Sequence, residues 1–263
     1  MSDAALAPSA VVAPGALRQL PPACQRAVFI SDLHLSESLP RTTGAFLRLL
    51  AQPQGDALFI LGDLFEAWVG DDMLDQPYEA GVAAAIAALA RQQPVHVMRG
   101  NRDFLLGARF FRETGCVELP DPVAFHGFGQ TVLLSHGDAL CLDDKAYQQF
   151  RAQVRQPAWQ SALLARPFAE RMAIAQQMRG ASRAQAREPE TYADIDPAMA
   201  QGWLAEAGSQ LLVHGHTHRP GSDAFVGWQR HVLCDWELDH GDADRGELML
   251  WDAQGWHRRP LPA

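Results

Sequence analysis

Seven residues with metal-binding side chains follow apolar runs of the chain. They are Asp32, His34, Asp63, Asn101, His136, His214 and His216. Carboxylate, amide and imidazole groups are ligands of divalent cations, and the set contains no thiolate. A carboxylate such as Asp63 has two oxygens and can bridge two ions, which one imidazole nitrogen cannot do. The set therefore predicts a hydrolase with two metal ions.

Five apolar runs position these residues and are predicted to be buried strands. With the polar residues that follow, the runs are FISDLHL (29–35), FILGDLF (59–65), VHVMRGNRDF (95–104), VLLSHGD (132–138) and LLVHGHTHRP (211–220). Ligands of open α/β sheets bind outside the carboxyl ends of the strands, so one shared site is expected. In extended chain, D-x-H and H-x-H place both side chains on one face. One such cluster could be a simple strand and turn, but five in one chain indicate a site.

Helices are predicted between the strands. Helical spacing occurs over 43–51, 78–91 and 104–112, and this alternation is typical of an α/β fold with parallel strands. From residue 145 to about 200 there is no strand-like run, which predicts a helical cap insertion over or beside the site. Short strands are predicted in the tail at 225–228, 230–234 and 247–251.

The composition is that of a globular protein and excludes some partners. The chain has 263 residues, 48% of them hydrophobic, and a formal net charge of -9, which argues against nucleic acid held by phosphate attraction. Four cysteines without a C-x-x-C pair fit a reducing cytosol. Residues 1–25 are rich in Ala and Pro and are interpreted as a disordered leader before one domain, 26–263. The small-apolar run 81–90 is too short to cross a membrane.

The five clusters, in this order, resemble those of the calcineurin-like metallophosphoesterases over residues 28–219. The resemblance implies a four-layer α/β/β/α sandwich with a dinuclear centre. One ion would be held by Asp32, His34, Asp63 and His216, and the other by Asp63, Asn101, His136 and His214. His218 is interpreted as a neighbour that orients a ligand or Arg102.

The third cluster departs from the usual superfamily pattern. Arg102 stands where a histidine commonly follows the asparagine, and an arginine cannot donate a proton to a leaving group. A phosphate monoester that leaves from a pyrophosphate needs no proton, because its oxyanion is stable at neutral pH. Arg102 can instead contact a phosphate oxygen in a bidentate manner.

Longer strings narrow the resemblance to the UDP-2,3-diacylglucosamine hydrolase family. They are LGDLFEAWVGDD (61–72), GNRDFLLG (100–107), HGDALCLDD (136–144) and HGHTHRP (214–220). The family implies two Mn²⁺ ions and a metal-activated water that attacks the α-phosphate of UDP-2,3-diacylglucosamine. The products are UMP and 2,3-diacylglucosamine 1-phosphate (lipid X), in lipid A biosynthesis. Asp63, Asn101 and Arg102 are the predicted catalytic residues.

The resemblance also implies substrate contacts at Asn101, Arg102, Asp144, Ser182 and His214. Around Ser182 the chain departs from the family, which usually has an asparagine and a lysine where this chain has Ala186 and Pro189. The sequence therefore does not predict how this loop contacts the substrate.

The predicted cap combines apolar side chains with arginines. Apolar residues that could line an acyl-chain tunnel are Trp159, Leu163, Leu164, Phe168, Met172 and Met178, although such a stripe commonly packs against the body. The arginines 151, 155, 166, 171, 179, 183 and 187 suit either a solvated face or a membrane surface. We expect a peripheral protein on the cytoplasmic side of the bacterial inner membrane, with no protein partner implied.

Two alternative functions stay open at this stage. A related phosphoesterase could act on a soluble nucleotide, although such a substrate would not require an apolar cap. A metal-free scaffold that binds proteins is the remote alternative, and it would be expected to lack several ligands that this chain retains.

Overall fold

The computed structural model describes residues 15–185, 193–240 and 243–262, apart from the side chains of residues 15–16 and 179–185. Within them the chain forms twelve strands and seven α-helices. The strands are β1 (Gly15–Gln19), β2 (Arg26–Ile30), β3 (Ala57–Leu61), β4 (Val95–Met98), β5 (Val117–Leu119), β6 (Val123–Gly127), β7 (Gln130–Leu134), β8 (Leu211–His214), β9 (Gly221–Phe225), β10 (Trp228–Val232), β11 (Glu247–Asp252) and β12 (Gly255–Pro260). The helices are α1 (Pro40–Ala51), α2 (Pro77–Ala90), α3 (Ala108–Thr114), α4 (Lys145–Val154), α5 (Pro157–Leu164), α6 (Phe168–Gln185) and α7 (Pro197–Ala207).

The strands pair into two six-stranded sheets. Sheet A has the order β1-β6-β7-β8-β10-β9, and sheet B has the order β12-β11-β2-β3-β4-β5. The strands β2 to β5 run parallel in sheet B, and β7, β8 and β10 run parallel in sheet A. The five predicted strands are therefore divided between the sheets, with β2, β3 and β4 in sheet B and β7 and β8 in sheet A.

Successive side chains of a strand point to opposite faces of the sheet, and both faces of each sheet are buried. Phe29 and Phe59 stack with ring centroids 4.7 Å apart in the core between the sheets, which also includes Val213 of β8. Residues of opposite parity, such as Ile60, face helices α1 to α3. Leu212 of β8 packs on the other side with Trp203 and Leu204 of α7, so the predicted four-layer α/β/β/α sandwich is confirmed.

Several local predictions need correction. The strand predicted at 225–228 is wrong, because Val226 and Gly227 form the turn between β9 and β10 and Gly227 has a φ of +83°. The predicted disordered leader, 1–25, includes residues that belong to the folded domain. Residues 1–14 lie outside the described residues, but β1 pairs with β6, and Leu20 and Cys24 are buried in the core between the sheets.

The predicted cap, 145–200, corresponds to α4, α5 and α6, and residues 186–192 lie outside the description. Helix α7 crosses the predicted end of the insertion and belongs to the body, because its Trp203 packs on sheet A. The N-terminus of α4 is capped by Asp144, which accepts a hydrogen bond from Tyr147 N at 2.9 Å. Among the described helices, none is long and apolar enough to span a membrane.

Arginines attach the cap to the body. Arg155 Nη2 donates to Gly100 O at 2.8 Å, and Arg171 Nη1 donates to Val69 O at 2.5 Å and pairs with Asp72. Arg151 Nε donates to the buried Asp138 at 2.8 Å. These three cap arginines therefore form hydrogen bonds with the body. Arg166, with 56% of its side chain exposed, pairs with Glu170 on the surface.

Candidate active site

The turns after β2 and β3 carry three of the predicted ligands in an unusual backbone conformation. Asp32, His34 and Asp63 have φ values of +54°, +50° and +51°. Left-handed φ values cost non-glycine residues on the order of 1–3 kcal/mol and cluster at functional sites. The turns are held together because Leu33 N and His34 N both donate to Asp63 O, at 2.9 and 3.0 Å. The ligands thus meet through left-handed turns, and not through the extended geometry that D-x-H suggested.

Two glycines allow these turns to pack closely. A Cβ at Gly100 would overlap the carboxylate and backbone of Asp63. A Cβ at Gly62, whose φ is +93°, would lie 2.5 Å from Nδ1 of His136. Glycine is required at both positions because another residue would displace a candidate ligand.

The first half of the site is centred on Asp32, which is fully buried. Its Oδ2 accepts hydrogen bonds from Ser31 Oγ at 2.5 Å and from His216 N at 2.9 Å. Its Oδ1 has no hydrogen-bond partner among the described residues and lies 3.6 Å from His218 Nε2. His218 Nε2 is also 3.3 Å from His34 Nε2. One carboxylate oxygen and two imidazole nitrogens therefore converge on a common point.

The second half of the site is centred on Asn101. Its Oδ1 lies 2.9 Å from His136 Nε2 and 2.8 Å from His216 Nδ1. His136 Nδ1 lies 2.9 Å from Leu61 O, a carbonyl that can only accept, so Nδ1 is the nitrogen that donates. This contact joins the loop after β7 in sheet A to the end of β3 in sheet B. It leaves His136 Nε2 directed at the site.

Asp63 lies between the two halves. Its Oδ1 is 3.7 Å from His136 Nε2, and its Oδ2 is 3.9 Å from His34 Nδ1. The Oδ1 atom also accepts a hydrogen bond from Arg102 N at 2.8 Å. Each oxygen therefore faces one half of the site, which is the geometry that a bridging carboxylate requires.

The electrostatics of the cluster favour positive charge. Burial by itself lowers the pKa of His136, but Asp63, Asp32 and Asp138 raise it to about 9. Burial opposes ionisation of Asp32, yet His218 holds the pKa of that carboxyl well below its usual range. A divalent cation would also supply positive charge next to these carboxylates. The donor types, the unpaired Asp32 Oδ1 and these pKa directions all fit divalent metal ions at this site.

The three histidines of the last cluster, His214, His216 and His218, have different surroundings in the structure. Within the described chain, two groups of Asp, Glu, Cys or His side chains could hold an ion, Asp32–His34–His218 and Asp32–Asp63–His136, and neither contains His214 or His216. His214 is the last residue of β8 and has the same parity as Leu212, which packs towards α7. Its Nδ1 lies 2.9 Å from Gly215 O, and burial lowers its pKa to about 4. Its Nε2 is buried and has no hydrogen-bond partner among the described residues, so His214 stays a predicted ligand.

A pocket of about 330 Å³ adjoins the cluster. Its polar lining includes Glu66, Asn101, Arg102, Asp144 and Tyr147. Its apolar lining comes from the body and the cap, and includes Trp68, Phe104, Leu105, Phe150, Trp159, Leu163, Ile174 and Met178. The pocket therefore connects candidate phosphate contacts with an apolar chamber.

The predicted lining and substrate residues are only partly found in this pocket. Leu164, Phe168 and Met172 do not line it; Leu164 is 44% exposed, and the other two pack against the core that faces α1 to α3. Ser182 belongs to α6, but its side chain is not described, and Ala186 and Pro189 fall outside the described residues.

One functional network was missed from the sequence. Asp138, the third residue of HGD, is fully buried and accepts hydrogen bonds from Tyr147 OH at 2.5 Å and Arg151 Nε at 2.8 Å. Arg155 Nη2 lies 3.7 Å from the same carboxylate. Burial opposes ionisation of Asp138, but Arg151 and Arg155 hold its pKa well below the usual range. The four-residue spacing of 147, 151 and 155 was a signal that these side chains share one face of α4.

Comparisons with known proteins show the family to which the chain belongs. A family model described as calcineurin-like phosphoesterase matches residues 25–220. A protein of Chromobacterium violaceum named UDP-2,3-diacylglucosamine hydrolase is 48% identical, with 89% of this chain and 98% of that protein covered. Proteins with the same name from Bordetella pertussis and Stenotrophomonas maltophilia are each 45% identical, covering 86% and 87% of this chain and 91% and 96% of their own lengths. The chain belongs to the calcineurin-like phosphoesterases and, among them, to the UDP-2,3-diacylglucosamine hydrolase family.

Proposed function

We propose that this enzyme hydrolyses the pyrophosphate of UDP-2,3-diacylglucosamine to UMP and 2,3-diacylglucosamine 1-phosphate, a step of lipid A biosynthesis. The observation that carries the proposal is the junction of the Asp- and His-rich cluster with the apolar pocket at Asn101 and Arg102. A lipid-linked nucleotide sugar has the same two parts, a diphosphate and acyl chains. The names of the relatives support this substrate.

The site residues receive roles on the same basis. Asp32, His34, Asp63 and His216 would hold one divalent ion, and Asp63, Asn101, His136 and His214 the other. When bound, the two ions supply Lewis-acid activation of the attacking water and neutralise charge on the phosphoryl group. Manganese is our proposal for both ions. Metal analysis of protein purified without chelators tests its identity and the count of two.

Arg102 would bind the phosphoryl oxygens. Two hydrogen bonds fix the backbone of Arg102. Arg102 N donates to Asp63 Oδ1, and Trp68 N donates to Arg102 O at 3.1 Å. Its side chain lines the pocket next to Asn101. A guanidinium cannot protonate a leaving group, which is consistent with a leaving group that is already a stable oxyanion. Asp144 lines the same pocket and is proposed to contact the substrate.

The acyl chains would occupy the apolar part of the pocket. Trp68 and Phe104 of the body and Trp159 and Leu163 of the cap contribute to its wall. A soluble nucleotide would leave this surface without an apolar partner, which is why we favour the lipid substrate. The retained cluster of ligands argues against a metal-free scaffold.

The deciding assay compares substrates. We expect release of UMP from UDP-2,3-diacylglucosamine in the presence of Mn²⁺, and little turnover of soluble nucleotides under the same conditions. Preferential turnover of a soluble nucleotide would favour the alternative enzyme. Absence of any bound or rebindable divalent ion would revive the scaffold alternative.

Attachment to the cytoplasmic face of the inner membrane is a further part of the proposal, because the substrate carries acyl chains. The cap arginines Arg151, Arg155 and Arg171 contact the body and do not contribute a basic surface to this attachment. Cosedimentation with anionic lipid vesicles tests it. Protein that stays in the supernatant at low salt would contradict membrane attachment.

A further inference from the structure

We propose that Asp71 is a positioning residue that sets the preference of the pocket for long acyl chains by orienting Trp68. The inference rests on the proposed function, because it takes the pocket as the site of the acyl chains. It deepens that function by naming a residue outside the pocket that determines its shape. Trp68 lines the pocket, whereas Asp71 does not.

The Asp71 carboxylate accepts hydrogen bonds from two segments of the chain. Its Oδ1 accepts from the indole Nε1 of Trp68 at 3.1 Å and from Gly107 N at 2.8 Å. Its Oδ2 accepts from Arg109 N at 2.8 Å and from Phe110 N at 3.2 Å. Trp68 follows β3, and the other three donors lie at the start of α3, after β4. One carboxylate therefore joins the two segments.

The start of α3 depends on this carboxylate. The first amides of a helix have no partner within the helix and are commonly satisfied by the side chain of the preceding residue. In α3 that residue is Gly107, and a Cβ there would lie 2.5 Å from Oδ2 of Asp71. Glycine thus makes room for a capping carboxylate from another loop. The capped turn comes shortly after Phe104 and Leu105, which belong to the pocket wall.

The indole of Trp68 needs the same carboxylate as an acceptor. The side chain is 1% exposed and packs against Phe65 and Phe110, with ring centroids 4.7 and 5.4 Å away. A buried indole N–H without an acceptor is costly. The second torsion of a tryptophan side chain has broad, roughly two-fold preferences, so the ring could otherwise turn over. Asp71 selects the orientation that directs Nε1 at its carboxylate, and this fixes the ring surface that an acyl chain would meet.

The backbone of Trp68 is held by a different partner. Trp68 N donates to Arg102 O at 3.1 Å, next to the candidate phosphate contacts. Side chain and backbone are therefore fixed separately. Loss of the Asp71 carboxylate should change the direction of the ring and leave Arg102 in place.

The test compares kcat/KM of the whole protein, with Mn²⁺, for a long-chain UDP-2,3-diacylglucosamine and a short-chain analogue. We expect Asp71→Ala to lower the ratio of the long-chain to the short-chain value about fourfold, which corresponds to the loss of roughly one buried methylene contact. The short-chain value should stay near that of the wild type, because the Asp71 carboxylate contacts Trp68 and the start of α3.

Asp196→Ala is the matched control. Asp196 also caps a helix, α7, by accepting from Met199 N at 2.7 Å, and it does not line the pocket. Both variants lose a helix cap and should lose similar stability in thermal unfolding, but Asp196→Ala should keep the wild-type ratio. An equal shift of the ratio in Asp196→Ala would overturn the inference, as a general effect of losing a cap.

A variant without the indole N–H shows whether Asp71 acts through Trp68. Trp68→Phe removes that donor and keeps the contacts of Asp71 with α3, so adding Asp71→Ala should not change its ratio further. Asp71→Asn is a milder variant in case Asp71→Ala does not fold; it replaces one acceptor by an amide that cannot accept, and should shift the ratio in the same direction.

The wild-type ratio in the folded Asp71 variants would overturn the inference. A further fall of about fourfold in the double variant would also overturn it, because Asp71 would then act through α3 and not through Trp68. Failure of the wild type to turn over either lipid substrate would instead refute the proposed function, and this inference with it.

Discussion

The metal-binding cluster and the apolar pocket adjoin each other but are built in different ways. The cluster is formed by loops after five strands of two packed sheets, and Asp32, Asp63 and His136 are at most 2% exposed. The pocket is walled on one side by cap helices, whose Trp159 and Met178 are only partly buried. The sandwich thus fixes the groups that would act on the phosphate, while an insertion supplies much of the surface that would select the lipid. Changes in the two regions should therefore affect different measurable quantities.

Asp63→Ala should have the largest effect. The Asp63 side chain faces both halves of the cluster, so its loss removes a ligand from each proposed ion. We expect weaker binding of both ions and a fall in turnover of more than about 10³-fold. Activity and metal content of the same sample are the measurements. Asp75→Ala, at an exposed aspartate that pairs with Arg109, is the control and should leave both unchanged. A variant that kept both ions would show that Asp63 is not the bridge.

Arg102→Ala should separate chemistry from metal binding. Arg102 contacts the candidate ligand Asp63 through its backbone N, which the substitution keeps, so the variant should retain both ions. We expect kcat to fall by about 10²-fold, through lost stabilisation of charge on the phosphoryl group. Arg99→Ala is the control, because Arg99 pairs with Glu118 at 2.8 Å and does not line the pocket. If Arg102→Ala loses its ions, the arginine has a structural role.

Trp159→Ala should change selectivity and leave the cluster intact. Trp159 lines the pocket with its ring centroid 6.2 Å from that of Phe104. We expect kcat/KM for a long-chain diacyl substrate to fall about tenfold relative to a short-chain analogue, which corresponds to about 1.4 kcal/mol. Leu164→Ala, on the exposed face of the same helix, should leave that ratio at the wild-type value. An equal loss with both substrates in Trp159→Ala would place the acyl chains elsewhere.

The sequence predicted the cluster better than the pocket, for physical reasons. Period-two apolar runs and adjacent glycines identify strand ends, and strand ends of a sandwich must lie near each other. The same periodicity failed once the chain left the strand. His216 and His218 have φ values of +66° and +51°, so the parity of β8 does not extend past His214. The directions of the side chains after His214 therefore depend on the backbone conformation, which the residue types alone do not specify.

For the cap, the sequence showed which residues are apolar or basic but not which residues they contact. Leu163 and Leu164 are adjacent in α5, yet Leu163 is 8% exposed and lines the pocket while Leu164 is 44% exposed. A broad apolar stripe does not reveal which of its members face the body, because that depends on how the helix is docked. Arg171 likewise suggested a charged surface, but the docked helix buries it to 4% exposure.

The smallest expected effect is that of Asp72→Asn, which removes the ion pair of that buried arginine and, beside Arg171→Met, tests how the cap is attached. Arg171 pairs with Asp72 and donates to the carbonyls of Val69 and Arg166, at 2.5 and 3.0 Å. Asp72→Asn should cost no more than about 1 kcal/mol of unfolding free energy, because the carboxylate is 42% exposed and the two carbonyl contacts remain. Arg171→Met removes all three contacts and should cost about 3 kcal/mol.

Denaturant unfolding and steady-state kinetics of these two variants test the attachment together. If Arg171 fixes α6 to the body, Arg171→Met should raise KM for the lipid substrate. Both metal affinities should stay at the wild-type value, because its partners Arg166, Val69 and Asp72 lie outside the cluster. Equal stability of the two variants would mean that apolar packing holds the cap without the arginine. A loss of metal affinity in Arg171→Met would contradict the separation of the two regions, because the cap would then be needed to form the cluster.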